Sequence, residues 1–338
     1  MTTWGETSGG TVQLFTIGDG AACTARIGTH GARLVQLWLP DRHGKPADVV
    51  LGHDRPSDYE TPASTYFGAT CGRYANRIAA GRFDLAGETI RVDQNEGVNH
   101  LHGGRDGFDR RLWAVAAADD RSVSMRLHSP DGDMGFPGAL DVAVSYAFTA
   151  PGQLEITMTG TVQGRATVLN LVNHAYFNLG GQGSGPVHNQ LLQIAAEEYL
   201  PVDAALLPLG APTPVAGTPF DFRKLRPIGA SVPPGGFDHN FCLTPGANPA
   251  VTAVDPASGR GLRLWTDQSG VQFYTGFHIP GGLPGKQGRK LGPHGGFTLE
   301  TQRWPDSPNH PDYPSATLRP GQTRHHHMRF AFFVQPDG

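Results

Sequence analysis

Three polar residues of this 338-residue chain have side chains suited to moving protons. One carboxylate, Glu300, lies among apolar residues, and two histidines, His102 and His174, lie far upstream. A carboxylate and an imidazole held on opposite sides of a small polar molecule can pass protons in both directions, which is general acid–base chemistry. That chemistry needs no cofactor, and we expect none.

Glu300 follows a pattern typical of a strand, in which Phe297 and Leu299 face away from Thr298 and Glu300. A lone glutamate on a strand is often solvated. Here the apolar flanks indicate the wall of a pocket as the alternative. Burial in such a wall would raise the pKa of Glu300 toward the range useful for a general base.

The upstream segment 99–104 contains His100 and His102, which would share one face if the strand ran through both. His174 could then complete a three-histidine metal site. No cysteine or carboxylate completes a recognisable metal motif, so we expect no metal. The remaining alternative is a strand end that holds one structural histidine.

Further along the chain, His174, Tyr176 and Asn178 alternate and would form a polar stripe on one strand face. Such a stripe inside an apolar run is costly unless it lines a cavity or is fully hydrogen-bonded. The segment therefore predicts either the wall of a site or a satisfied buried histidine.

Two other residues carry groups that bind sugar hydroxyls well. Arg77 offers several donors and Asp238 offers two acceptors, although each could equally form a structural ion pair. The triplet 325–327 consists of three histidines, which could bind a metal weakly. A polar turn or strand edge near the C-terminus is the simpler interpretation of that triplet.

The elements that must position these residues are predicted to be strands. Apolar and polar residues alternate with a period of two in short segments separated by Gly, Pro, Asp and Asn. This pattern predicts a large antiparallel all-β structure with at most a short helix near residues 57–59, and a mobile loop at the Gly- and Pro-rich residues 280–296. The clearest alternating segments are 142–148, 154–158, 262–264 and 328–332.

Composition argues against several classes of function. The net charge is −3 and no basic cluster is visible, so we expect no nucleic-acid partner. No run of about 18 apolar residues occurs and the N-terminus does not resemble a secretory signal, so we expect no membrane partner. The separated cysteines Cys23, Cys71 and Cys242 predict free thiols in a reducing compartment, the cytoplasm. The glycine-rich segments fit neither a phosphate loop nor a nucleophile elbow.

Taken in order, the motifs resemble the aldose 1-epimerase family, the galactose mutarotases, over nearly the whole chain. The segments that carry the resemblance are Pro40-Asp41-Arg42, Asp48-Val49-Val50-Leu51-Gly52, Phe67-Gly68-Ala69-Thr70, Asn76-Arg77-Ile78, His100-Leu101-His102-Gly103-Gly104, Asn173-His174-Ala175-Tyr176-Phe177-Asn178-Leu179, Pro201-Val202-Asp203, Gly217-Thr218-Pro219-Phe220-Asp221-Phe222-Arg223, Asp238-His239-Asn240-Phe241, Leu299-Glu300-Thr301-Gln302, Pro305-Asp306-Ser307-Pro308-Asn309, Pro314-Ser315 and Leu318-Arg319-Pro320-Gly321. Each segment alone is a weak indicator, whereas the ordered set is specific.

The resemblance implies a single antiparallel β-sandwich domain over residues 1–338, of the galactose mutarotase type. A free monosaccharide such as glucose or galactose would bind in a groove on one sheet. Glu300 matches the general base of the family, His174 matches the general acid, and His102 matches a second histidine that assists at the ring oxygen. The protein would be a monomer or a weak dimer.

The resemblance also implies a set of sugar-binding residues. Arg77, Asp238 and Gln272 match positions that hold sugar hydroxyls, and Asn76 belongs with them. The chain departs from the family at Phe277-His278, where Asn-Phe is typical, and in the histidine triplet. These departures concern the sugar preference and not the chemistry.

In the implied reaction, ionised Glu300 would take the proton of the anomeric hydroxyl while protonated His174 donates to the ring oxygen. The ring opens, the C1–C2 bond rotates, and the ring closes with the roles reversed, which predicts a bell-shaped pH profile. Two alternatives remain. A glycoside hydrolase would pair Glu300 with Asp238 or Asp306 about 5–10 Å away, and a non-catalytic module would bind a sugar without changing it.

Overall fold

A computed structural model describes residues 1–62 and 66–336. The predicted antiparallel all-β architecture is confirmed, and all four of the clearest alternating segments lie in one nine-stranded sheet. In spatial order, its strands are Ala114–Ala118, Ser122–Ser129, Ala139–Ala150, Gln153–Gln163, Thr323–Val334, Arg260–Thr266, Val251–Val254, Leu191–Ile194 and Arg226–Pro227. Their apolar residues are buried at every second position, as the alternation predicts.

Two smaller sheets accompany the large one. The five-stranded sheet contains Thr2–Thr7, Gly10–Gly18, Thr24–Gly28, Arg33–Pro40 and Pro46–Asp48. The six-stranded sheet contains Tyr176–Phe177, Phe297–Gln302, Gly270–Tyr274, Asp238–Leu243, Ala196–Tyr199 and Thr213–Pro214. Short two-stranded ladders pair Arg77–Ile78 with His100–Leu101, Arg82–Leu85 with Glu88–Arg91, Thr70–Cys71 with Val172–Asn173, Thr167–Val168 with Thr317–Leu318, and Leu283–Pro284 with Lys290–Leu291.

Helical structure in the described residues is limited to single turns of 3₁₀ helix. The predicted short helix near residues 57–59 is confirmed as Pro56–Glu60. The remaining turns are Ala79–Gly81, Phe108–Arg110, Asp133–Gly135, Val187–Asn189, Ile228–Ala230, Lys286–Gly288 and Ser307–Asn309. None of the helices in the described residues has the length and apolar character needed to cross a bilayer.

The six-stranded sheet has two faces of different character. Phe241, Phe273 and Phe297 alternate onto one face, where their rings contact one another at centroid distances of 6.2 and 6.4 Å. Phe177, on the adjacent strand, contacts Phe330 of the nine-stranded sheet at 5.5 Å, so this face closes the main core. The residues of the other parity, most of them polar, therefore lie on the opposite face.

Two local expectations differ from the structure. Residues 280–296 are not a plain loop, because Leu283–Pro284 and Lys290–Leu291 pair as strands around the 3₁₀ turn Lys286–Gly288. The buried Lys286 ammonium anchors that turn at 2.7 Å from Asp48. The glycines and prolines of this region therefore form tight turns within an anchored hairpin.

The prediction of a polar turn or strand edge for residues 325–327 is also wrong. The three histidines lie inside Thr323–Val334, an interior strand hydrogen-bonded to Gln153–Gln163 on one side and Arg260–Thr266 on the other. His325 is exposed, whereas His326 faces the core and is buried. Three consecutive polar residues hide the alternation of buried and exposed positions. The burial of His326 depends on hydrogen-bond partners elsewhere in the chain, which the local sequence does not show.

Candidate active site

Glu300 lies on the polar face of the six-stranded sheet, in a strand between Tyr176–Phe177 and Gly270–Tyr274. The alternation of Phe297–Gln302 turns Leu299 to the core and Glu300 to the opposite face. The Glu300 side chain is nevertheless buried, at 2% exposure. Thr298 donates a hydrogen bond to Oε1 at 2.9 Å, while Oε2 has no hydrogen-bond partner among the described residues.

His174 lies between the short strands Val172–Asn173 and Tyr176–Phe177, where its backbone N–H donates to Ala69 at 2.8 Å. Its Nε2 is 3.4 Å from Oε1 of Glu300. Its Nδ1 is buried, and no described residue hydrogen-bonds to it. The structure thus brings together the acid and the base expected from the sequence, each with one unused polar atom.

The predicted polar stripe at residues 174–178 is present only in part. The rings of His174 and Tyr176 are 5.0 Å apart and both belong to the site. Asn178 points elsewhere and donates to the carbonyls of Gly185 and Gly295. The stripe is broken because the strand Tyr176–Phe177 is only two residues long.

His102 joins the site by leaving its strand. The expectation that His100 and His102 share a strand face is wrong, because the strand ends at Leu101 and His102 has a left-handed φ of 50°. His100 contacts the carbonyl of Asp93 at 2.8 Å and accepts from the Gly103 N–H, so it is the structural histidine of the pair. The His102 ring lies 5.1 Å from that of His174.

The tautomer of His102 follows from its contact with the backbone. Nδ1 accepts a hydrogen bond from the N–H of Asn76 at 3.2 Å. A neutral imidazole with an accepting Nδ1 carries its proton on Nε2, so this nitrogen is a donor. The conformation of the backbone therefore sets His102 to donate a hydrogen bond to an oxygen atom in the site.

The same tautomer bears on metal binding. Ligand atoms of His102, His174 and Glu300 lie within 4.8 Å of one another, close enough to resemble a cation site. A metal on His102 would have to displace either the Nε2 proton or the bond from Asn76, because a metal takes a ring-nitrogen lone pair. The arrangement favours hydrogen-bond donation to a substrate over metal ligation.

Burial shifts the acid and the base toward their neutral forms. It raises the pKa of Glu300 to about 8 and lowers the pKa of His174 to about 3. A raised pKa for Glu300 is what its apolar flanks predict. Burial thus favours the neutral forms of both side chains, whereas the implied reaction begins from an ionised Glu300 and a protonated His174.

Asp238 and Gln272 lie beside Glu300 on the same face. Gln272 is directly opposite Glu300 in the ladder, and its amide donates to Asp238 at 2.7 Å. Gln302 then donates to Gln272 Oε1 at 3.1 Å and to Asn240 at 3.0 Å. Gln302 and Asn240 were not identified from the sequence as site residues, although their parity in the strands places them on the face of Glu300.

Arg77 is buried and forms a two-pronged ion pair with Glu96, with both N–O distances at 2.7 Å. Glu96 was not predicted from the sequence to belong to the site. Asn76, with a left-handed φ of 63°, uses its side-chain oxygen to accept the N–H of Arg77 at 2.8 Å. Asn76 thus shapes the turn that presents Arg77, and its N–H orients His102.

Tyr66 is a second aromatic contact that sequence reasoning missed. Its ring lies 4.6 Å from the ring of His102 and 5.6 Å from that of His174. Only its position before the Phe67-Gly68-Ala69-Thr70 motif could have drawn attention to it. A tyrosine against both histidines contributes to their burial and so to their low pKa values.

Asp306, one of the two acids that a hydrolase could pair with Glu300, has structural partners. It accepts the Ala79 N–H at 3.0 Å and the side-chain amide of Asn309 at 2.7 Å. His310 lies 3.4 Å from its other oxygen. A carboxylate that closes two turns is poorly suited to act on a substrate.

Comparisons with known proteins identify the family and the fold. The aldose 1-epimerase family model matches residues 13–331. A galactose mutarotase from Mus musculus is 43% identical, with 98% of both chains covered, and an aldose 1-epimerase from Escherichia coli is 38% identical, with 92% of both covered. A crystal structure of an aldose epimerase homologue from C. elegans superposes with a TM-score of 0.90 at 29% identity, covering 96% of this chain and 99% of that one.

The chain belongs to the aldose 1-epimerase family, the mutarotases, and is an isomerase. The resemblance stated from the motifs is therefore confirmed. A galactose 1-epimerase from Lactobacillus acidophilus has the same fold, with a TM-score of 0.85 at 28% identity and 98% of both chains covered.

Proposed function

We propose that Glu300 and His174 are the base and the acid with which this protein interconverts the α and β anomers of a free aldose. The observation that carries the proposal is their 3.4 Å contact in a buried site, where Glu300 Oε2 and His174 Nδ1 both lack partners among the described residues. Buried polar atoms are nearly always hydrogen-bonded. Unpartnered atoms on two side chains in contact are well suited to bind the hydroxyls of a sugar.

The reaction balances with these two groups alone. Glu300 takes the proton of the C1 hydroxyl while His174 gives its proton to the ring oxygen, and the C1–O5 bond breaks to leave an aldehyde. Rotation about C1–C2 presents the other face of the carbonyl. On closure, His174 recovers the proton from O5 and Glu300 returns its proton to the carbonyl oxygen.

The neutral pair, which burial favours, fits this cycle. Protonated Glu300 with neutral His174 holds one proton, the same number as the ion pair that starts ring opening. The neutral pair is also the form present while the sugar is open. Activity should therefore fall above about pH 8, where Glu300 loses its proton and the pair no longer holds an acid.

The other predicted residues receive supporting roles in this proposal. The Nε2–H group of His102 donates a hydrogen bond to the ring oxygen or to a neighbouring hydroxyl, as its tautomer allows. Arg77 and Asp238 bind sugar hydroxyls, and Gln272 does so while orienting Asp238. Asn76 acts through the turn that presents Arg77.

Polarimetry tests the proposal directly. Freshly dissolved α-D-galactose and α-D-glucose should approach anomeric equilibrium faster with the protein than without it, in the presence and absence of EDTA. Acceleration of neither hexose nor of an aldopentose would contradict the proposal. Release of reducing sugar from a glycoside would instead support the hydrolase alternative.

Cellular location is a further part of the proposal. Cys23, Cys71 and Cys242 are all buried free thiols. Free cysteines are typical of a reducing compartment, and we therefore place the protein in the cytoplasm.

A further inference from the structure

His326, the middle residue of the histidine triplet, lies in the core between the two larger sheets. Met328 and Phe330 share its strand face and are fully buried, and His326 itself is only 4% exposed. An imidazole in an apolar stripe is costly unless both ring nitrogens are hydrogen-bonded. Both are bonded here, and the partners belong to the two segments that carry the acid and the base.

One ring nitrogen of His326, Nε2, is 2.7 Å from the hydroxyl of Thr301, and the other, Nδ1, is 3.0 Å from the carbonyl of Leu171. A carbonyl can only accept, so Nδ1 carries the proton. Nε2 must then accept from the Thr301 hydroxyl. The hydrogen bonds thus run in one direction, from Thr301 through His326 to Leu171.

Thr301 directly follows Glu300 and points to the opposite face of the same strand. Leu171 precedes His174 by three residues, in a segment only loosely tied into sheets. We infer that His326 is a positioning residue that sets the separation of Glu300 and His174 by joining their two segments from beneath. This inference rests on the proposed function of that pair.

A second link joins the same segments, because Asn170 accepts the backbone N–H of Arg303 at 2.9 Å. The strand Tyr176–Phe177 also pairs directly with Phe297 and Thr298. Loss of the His326 bridge should therefore leave the two segments joined at both ends but less firmly held in the middle, where Glu300 and His174 meet. The expected consequence is misplacement of the acid against the base in a protein that still folds. A misplacement of about 1 Å can lower a rate by about 100-fold.

Graded variants of His326 test the bridge. The amide of His326→Asn replaces Nδ1 and keeps the hydrogen bond to Leu171. The amide of His326→Gln replaces Nε2 and keeps the hydrogen bond to Thr301. The variant His326→Leu loses both hydrogen bonds. We expect kcat to fall about tenfold in His326→Leu and less in the two amide variants, with KM within about twofold. The exposed neighbour His325 provides the control, because His325→Leu should leave kcat unchanged.

Thr301→Val removes the hydroxyl at nearly constant volume and so tests the same bridge from its other end. In the double variant with His326→Leu, the two losses in kcat should not multiply, because both substitutions break one link. Thr167→Val, at a buried threonine outside the site, controls for the loss of a buried hydroxyl and should retain kcat. An unchanged kcat in Thr301→Val would overturn the inference. A rise in KM as large as the fall in kcat would also overturn it.

A spectroscopic measurement separates this inference from the proposed function. In ¹⁵N-histidine spectra, Thr301→Val should shift the ring resonances of His174, which contacts Glu300, and leave those of the structural His100 in place. The measurement requires no catalysis, so it remains decisive if the wild-type protein shows no mutarotase activity. Unmoved His174 resonances would overturn the positioning role even in an active enzyme.

Discussion

Two buried pairs among the described residues each join a carboxyl group to a basic side chain, and they differ in how completely they are bonded. Glu300 and His174 are 3.4 Å apart on the polar sheet face, and Asp48 and Lys286 are 2.7 Å apart beneath the hairpin 283–291. In both pairs burial raises the pKa of the carboxyl group and lowers the pKa of the basic side chain, His174 or Lys286. Burial and pKa direction therefore do not distinguish a site from a structural ion pair.

The difference lies in the remaining hydrogen bonds. The three protons of Lys286 have three acceptors, which are Asp48 and the carbonyls of Val35 and Val50. The second oxygen of Asp48 accepts the N–H of Leu37 at 3.0 Å. Each oxygen of Asp48 thus lies against a nitrogen atom, whereas Glu300 Oε2 and His174 Nδ1 have no partner among the described residues and can receive a substrate.

The largest expected effect is on catalysis. Glu300→Gln keeps the shape and burial of the side chain but removes its ability to accept a proton. We expect polarimetric activity to fall by about 100- to 10,000-fold, because proton transfers contribute on that scale. Far-UV circular dichroism should remain that of the wild-type protein. Retained activity in Glu300→Gln would assign the chemistry to another group.

The opposite result is expected for the structural pair. Lys286→Met leaves the buried Asp48 without its cation and should lower the free energy of unfolding by about 3 to 5 kcal/mol. Turnover by the folded fraction at low temperature should stay within about threefold of the wild-type value. A denaturant titration alongside polarimetry measures both, and a loss of turnover without a loss of stability would erase the distinction between the pairs.

A third prediction concerns the pH dependence of stability. Unfolded Glu300 loses its proton near pH 4.5, whereas burial holds the proton in the folded protein until about pH 8. The stabilisation is therefore complete below about pH 4.5 and is lost as pH rises to about 8. Glu300→Gln should match the wild type at pH 4 and exceed its stability by about 2 to 4 kcal/mol at pH 9. Parallel stability curves for the two proteins between these pH values would contradict this prediction.

The smallest effect concerns the ion pair of Arg77 and Glu96, which lies between the two extremes because Arg77 is buried and Glu96 is partly exposed. Glu96→Gln should raise KM for the aldose about three- to tenfold by loosening Arg77, with a smaller change in kcat. Glu88→Gln breaks an exposed pair with Arg165 and should change neither constant. Equal effects of the two substitutions would remove Glu96 from the site.

Much of the fold and part of the site could be predicted from the sequence. The period of two placed the strands of the large sheet, and it placed Glu300 opposite Leu299, because successive side chains alternate across any strand. The ordered motifs identified the family and, through it, predicted that His174, His102 and Glu300 belong to the site. These features depend on neighbouring residues or on short segments that remain legible in the linear order.

The tertiary structure alone decided which of the buried polar residues are fully bonded. Lys286 meets Asp48 across 238 positions of the chain, and His326 meets Leu171 across 155. Nothing in the local sequence of either residue indicates its partner, and His102 entered the site through a left-handed turn that no strand pattern predicts. Alternation is a property of the strand itself, whereas the contacts of a buried polar atom depend on distant segments, and those contacts distinguish the Glu300–His174 pair from the Asp48–Lys286 pair.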